Sequence, residues 1–84
     1  MDTPPIEANF ASLILSINHS ARIGLGLIEN PELQTVEKNL SLAQYNIDLL
    51  SLLKDKTKNN LAKEEKQLLN QIITDLQMNY IKAK

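Results

Sequence analysis

Ser41-Leu42-Ala43-Gln44-Tyr45-Asn46-Ile47-Asp48-Leu49-Leu50-Ser51-Leu52-Leu53-Lys54-Asp55-Lys56-Thr57 is the stretch on which the fold turns. Ala43, Ile47 and Leu50 return at helical spacing, and Leu42, Leu49, Leu52 and Leu53 widen that stripe into a broad apolar sector. Ser41 with Gln44 three residues on suits a capping box, and Leu40 with Tyr45 suits the hydrophobic staple around it. Asn39 is a rival N-cap. At the exit, Lys54, Lys56 and Lys58 complement the negative end of a helix, and Asn59-Asn60 can take the left-handed conformation that closes one. The spacing predicts a helix over Ser41–Thr57.

A second periodic run follows almost at once. Leu69, Ile72, Ile73, Leu76 and Tyr80 share one helical face, with Leu68 at its edge, and Glu64 and Glu65 sit where a first turn favours negative charge. This predicts a helix over Lys63–Lys82. The connection is short, so the two helices must form an antiparallel hairpin. Upstream, Phe10, Leu13, Ile14, Ile17, Ala21, Gly24, Leu25 and Ile28 mark a further helix over about Glu7 to Leu27. Gly24 and Gly26 weaken its end, and Asn30-Pro31 closes it. Pro4-Pro5 ends a flexible tail over 1–6, and residues 29–38 form an acidic, mobile linker.

The expected fold is all-α. Three helices make one small domain over 1–84, with helix 1 packed across the antiparallel hairpin of helices 2 and 3. Leu13, Ile14, Ile17, Ile47, Leu50, Leu53, Leu69, Ile72 and Leu76 are the expected core. No strand, repeat or low-complexity tract is visible.

Composition excludes much chemistry. A chain of 84 residues buries only about 60 % of the surface its unfolded form exposes, and chains of this size commonly rely on disulfides, a metal or oligomerisation. There is no cysteine and a single histidine, which removes disulfides, thiolate ligands and His-rich metal sites. Oligomerisation remains. The net charge is −1, giving no global pull toward nucleic acid or an anionic membrane. Its distribution is uneven: two basic residues meet six acids up to Asp48, and seven lysines meet four acids from Leu49 onward.

Met1 to Ala8 carry Asp2 and Glu7 and no basic residue, so the positive start of a secretory signal is missing. Phe10 to Ile28 is apolar enough to raise the question of a membrane span. Asn18, His19 and Arg22 near its centre would be costly in a bilayer, so it is read as a soluble helix. No membrane association is expected, and a cytoplasmic location is.

Several segments in order carry a resemblance. They are Phe10-Ala11-Ser12-Leu13-Ile14-Leu15-Ser16, Gly26-Leu27-Ile28 with Asn30-Pro31, and Asn39-Leu40-Ser41-Leu42-Ala43-Gln44. Ile47-Asp48-Leu49-Leu50, Asp55-Lys56-Thr57-Lys58, Leu61 with Glu64-Glu65, Leu68-Leu69, and Leu76, Met78 and Tyr80 complete the set. Together they resemble a bacterial family known as domain of unknown function 1844, over nearly the whole chain. The resemblance implies a bacterial cytoplasmic protein of three helices and brings neither an activity nor catalytic residues. Three positions depart from the family pattern: Asn59 replaces a glycine, Ala62 a helix-capping threonine, and Gln77 a basic residue. The missing cap at Ala62 should cost about 1 kcal/mol, and Gln77 argues against an anionic ligand at its position.

Each residue with catalytic potential has a plainer role. His19 has Leu15, Ser16, Arg22 and Ile23 one turn away and no acid to orient it, so a solvated or interface histidine is the better reading. Glu64, Glu65 and Asp48 serve a helix start and a polar face better than paired-carboxylate catalysis. Gly24-Leu25-Gly26 lacks the strand-to-helix context of a phosphate loop and closes a helix instead, which suggests close packing or termination. No catalytic, cofactor or metal constellation is expected.

Two surfaces remain. Lys54, Lys56, Lys58, Lys63 and Lys66 cluster at the turn between helices 2 and 3 and could neutralise phosphates. No arginine or aromatic accompanies them to read bases. Against this stands surplus apolar surface: Leu15 and Ile23 on helix 1, and Leu49 and Leu52 on helix 2. The expected function is a non-catalytic, adaptor-like interaction protein that acts through these faces. It would self-associate as a homodimer or dock an unidentified partner. The alternative is a nucleic-acid- or ribosome-associated accessory protein using the lysines.

Overall fold

The computed structural model of the chain describes residues 9–84, and the expected tail over 1–6 lies outside them together with Glu7 and Ala8. Three helices follow in order: α1 (Phe10–Gly24), α2 (Leu40–Lys56) and α3 (Lys63–Ala83). The architecture is the expected one. Helices α2 and α3 form the antiparallel hairpin and α1 packs on both, most extensively on α2. The Cα trace spans 40 × 37 × 15 Å. With helix axes packing about 8–10 Å apart, that thickness is two helices, so the molecule is a plate.

Helix α1 is shorter at both ends than its periodicity suggested. Asn9 stands in extended conformation and its Oδ1 accepts from the Ser12 amide at 2.8 Å, so the helix begins at Phe10. At the other end Gly26 adopts φ 76°. The Leu27 amide then donates to the Arg22 carbonyl and the Gly26 amide to the Ile23 carbonyl, each at 3.0 Å. This is the Schellman arrangement, which needs a residue free to turn left-handed. It stops the helix at Gly24, three residues before the expected Leu27.

The entry of α2 also differs in detail. Asn39, the rival cap, holds the position, and its Oδ1 accepts from the Leu42 amide at 3.1 Å. Ser41 is therefore inside the helix and the Ser41–Gln44 box does not form. Gln44 instead donates to Asp48 at 2.8 Å. Leu40 packs on the core while Tyr45 points outward at 60 % exposure, so the expected staple is absent too.

Helix α3 starts after Ala62, which has no side-chain acceptor. Half a capping box survives: Glu65 reaches back and accepts from the Ala62 amide at 2.9 Å. At the far end Lys38 donates from Nζ to the Ala83 carbonyl at 3.1 Å, placing a cation on the last turn.

Residues 29–38, expected as a linker, carry a turn. Asn30 and Thr35 form an isolated bridge, Asn30 Oδ1 accepts from the Glu32 amide, and Gln34 sits at φ 55°. Asn59, in the turn after α2, takes φ 68°. The left-handed conformation expected of that pair is thus adopted.

Ile14, Ala21, Leu25, Ala43, Ile47, Leu50, Leu69, Ile73 and Leu76 form the core, with Phe10, Ile17, Ile72 and Tyr80 among the residues packed against it. Four expected members are displaced. Leu13 is 46 % exposed, Ile17 and Leu53 are half-buried, and Ile73 takes the buried place given to Ile72. The small residues explain the first. A Cβ on Gly24 would lie 2.8 Å from the Ala43 amide nitrogen and 2.9 Å from the Asn39 carbonyl oxygen. The two helices meet there backbone to backbone, so α1 turns its Ile14–Ala21–Gly24 side inward and Leu13 falls on the flank.

Candidate interaction surfaces

Helix α2 has three sides. Ala43, Asn46, Ile47 and Leu50 face the core. Ser41, Asp48, Ser51 and Asp55 are polar and exposed. Between them runs an apolar side that the described residues leave uncovered: Leu42 is 36 % exposed, Tyr45 60 % and Leu52 53 %, with Leu49 half-buried among them. Positions three and four apart are neighbours on a helix surface, so these four form one continuous strip. Leu49 and Leu52 were expected there. Leu42 and Tyr45 were not, although their spacing of three and four residues is legible: in sequence Leu42 reads as part of a widened core stripe and Tyr45 as part of the helix entry.

The two α1 candidates sit elsewhere on their helix. Leu15 is 49 % exposed and lies in a shallow groove with Ser12, Ser16 and His19. Ile23 is half-buried two turns further along α1, close to the Schellman turn. The residue between them on that side, His19, is polar and exposed, so Leu15 and Ile23 do not form one continuous apolar strip. Met78 and Ile81 near the end of α3 are exposed as well.

The lysines divide. Lys54, Lys56, Lys58, Lys63 and Lys66 are all exposed. Lys54, Lys58 and Lys66 line one cleft of about 680 Å³ in the crook of the α2–α3 turn, over Leu61 and Leu69, while Lys56 and Lys63 stand outside it. Asp55 shares the lining, and Glu64 and Glu65 begin the adjoining helix, so the positive field there is interrupted. Asn70, on the same wall, has its amide oxygen buried with no hydrogen-bond partner.

Among the described residues no group of three or more His, Cys, Asp or Glu side chains could hold a metal ion. No helix among them is long and apolar enough to cross a membrane. The ion pair that crosses the fold, Arg22 Nη1 to Asp75 Oδ2 at 3.2 Å, ties α1 to α3 at the surface.

The sequence matches, over residues 7–82, the family described as a domain of unknown function (DUF1844). The chain belongs to that family. The match spans all three helices and the turns that join them. No curated protein and no solved structure matches the chain.

Proposed function

We propose that this member of the DUF1844 family is a non-catalytic interaction protein of the cytoplasm, working through the apolar side of α2. The exposed strip of Leu42, Tyr45, Leu49 and Leu52 supports that reading. Burial of apolar surface is the main favourable term in association, at about 25 cal/mol per Å², and a strip of four large side chains along one helix is the form that helix-to-helix recognition takes. Leu15 and Ile23 offer further contacts on α1. The decisive measurement compares wild type with Leu52→Lys for solution mass and for proteins captured from the native cytosol. Loss of association with unchanged helicity supports the role. Unchanged mass together with unchanged capture would falsify it.

The lysine cleft supports a second reading, a nucleic-acid- or ribosome-associated accessory protein. Its specific support is the convergence of Lys54, Lys58 and Lys66 on one concavity. Binding of this kind weakens steeply with salt, because each neutralised phosphate releases counterions. Lys58→Glu should then abolish RNA binding, and capture should collapse on nuclease treatment. Capture that resists nuclease and ignores Lys58→Glu rules this reading out.

A further inference from the structure

We infer that the occupant of the α2 strip is a second copy of this chain, the two α2 helices pairing antiparallel about a twofold axis. The inference rests on the interaction role just proposed and makes it specific. Leu42, Tyr45, Leu49 and Leu52 recur at spacings of three, four and three, the repeat by which one helix offers a continuous seam to another. The core-facing Ala43, Ile47 and Leu50 lie one step around the helix, so the core among the described residues does not consume the seam. In an antiparallel pair Leu42 of one copy meets Leu52 of the other, and Tyr45 meets Leu49. The strip is therefore complementary to itself, as an isologous interface requires.

Charge selects the direction. The chain is acidic up to Asp48 and basic from Leu49 onward. Antiparallel pairing carries Glu37, just ahead of one α2, to the end of the other that bears Lys54, Lys56 and Lys58. Parallel pairing stacks those lysines on their own copies. Lys38 is the one basic residue between Ile23 and Leu53, and its ammonium is turned away to the Ala83 carbonyl, so the acidic end stays acidic toward a partner.

The chain has no native cysteine, so introduced thiols report geometry without interference. Wild type at high micromolar concentration should show twice the 9.5 kDa mass of one chain, and Leu52→Lys should return it to a single mass with its helicity intact. Leu42→Cys mixed with Leu52→Cys should give, on mild oxidation, a cross-linked pair containing one of each. If each variant instead links mainly to itself, the antiparallel seam is wrong. A wild-type chain that stays at a single mass overturns the second-copy inference altogether. In that case, Leu52→Lys abolishing the capture of another protein would leave the interaction role standing. If Leu52→Lys changes neither mass nor capture, both fall.

Discussion

Gly24 of α1 lies against Ala43 of α2 with no room for a side chain between them: an added Cβ would stand 2.8 Å from the Ala43 amide nitrogen. The contact is with backbone, which cannot swing aside as a side chain can. The Asn39 amide reinforces it by donating to the Gly24 carbonyl at 2.7 Å. Gly24→Ala should therefore destabilise the fold by about 1–3 kcal/mol in urea melts, the usual range for overpacking. Alanine is the better helix former by about 1 kcal/mol, so a neutral or stabilising result would show that the helices separate at little cost.

The buried face of α3 makes a paired prediction. Ile73 is in the core and Ile72 only packs against it. Ile73→Ala should cost about 2–5 kcal/mol, and Ile72→Ala distinctly less. Parallel denaturant titrations decide, and the reverse order would place α3 in a different rotation.

Ala62 stands in extended conformation at the cap of α3 and gives the first turn no acceptor. Its backbone is already in the conformation that a capping serine or threonine uses. Ala62→Thr should add about 1 kcal/mol, seen as a higher melting temperature. Glu65→Ala should lower it, since Glu65 provides the one side-chain hydrogen bond that this end retains.

Asn59 is left-handed at φ 68°. Asn59→Ala should destabilise by about 1 kcal/mol, because a β-carbon is disfavoured in that region and alanine has no polar group to compensate. Asn59→Gly should be neutral or slightly stabilising, relief of the backbone being offset by the greater freedom of the unfolded chain.

The Arg22–Asp75 pair is a modest contributor by comparison. Its side chains are 37 % and 57 % exposed, so a double-mutant cycle should return about 0.2–1 kcal/mol. That coupling should shrink as salt is raised.

Much of the fold was legible from spacing alone. Three apolar periodicities, two Gly positions near Asn30-Pro31 and one short lysine-rich connection specify three helices and a hairpin. What spacing could not give is rotation about each helix axis. Leu13 and Ile14 are adjacent in sequence and about 100° apart around the helix. The choice between them was made by Ala21 and Gly24, whose value lies in their small size and which therefore carry no hydrophobic signal. The same holds on α2, where leucines occupy so much of the circumference that the core-facing and outward-facing sets were merged. Leu42 is hidden for that reason, and Tyr45 because its spacing from Leu40 also suits a staple at the helix entry. The division of the lysines between a cleft and open surface depends on how the turn folds back, which sequence spacing does not encode.

Helix α2 is greasy on two of its three sides, and grease alone would let it roll about its axis with little penalty. Ala43 resists the roll. It is fully buried where the Gly24 backbone comes so close that even a Cβ on the glycine would lie 2.8 Å from the Ala43 amide nitrogen, and this fit of small residue to small residue acts as a key in a slot. Remove that key, as in Ala43→Leu, and the core side gains hydrophobicity while the helix loses its orientation. The two leucine sides then become interchangeable. A variant of this kind can be as stable as the parent and still present the wrong face to the outside.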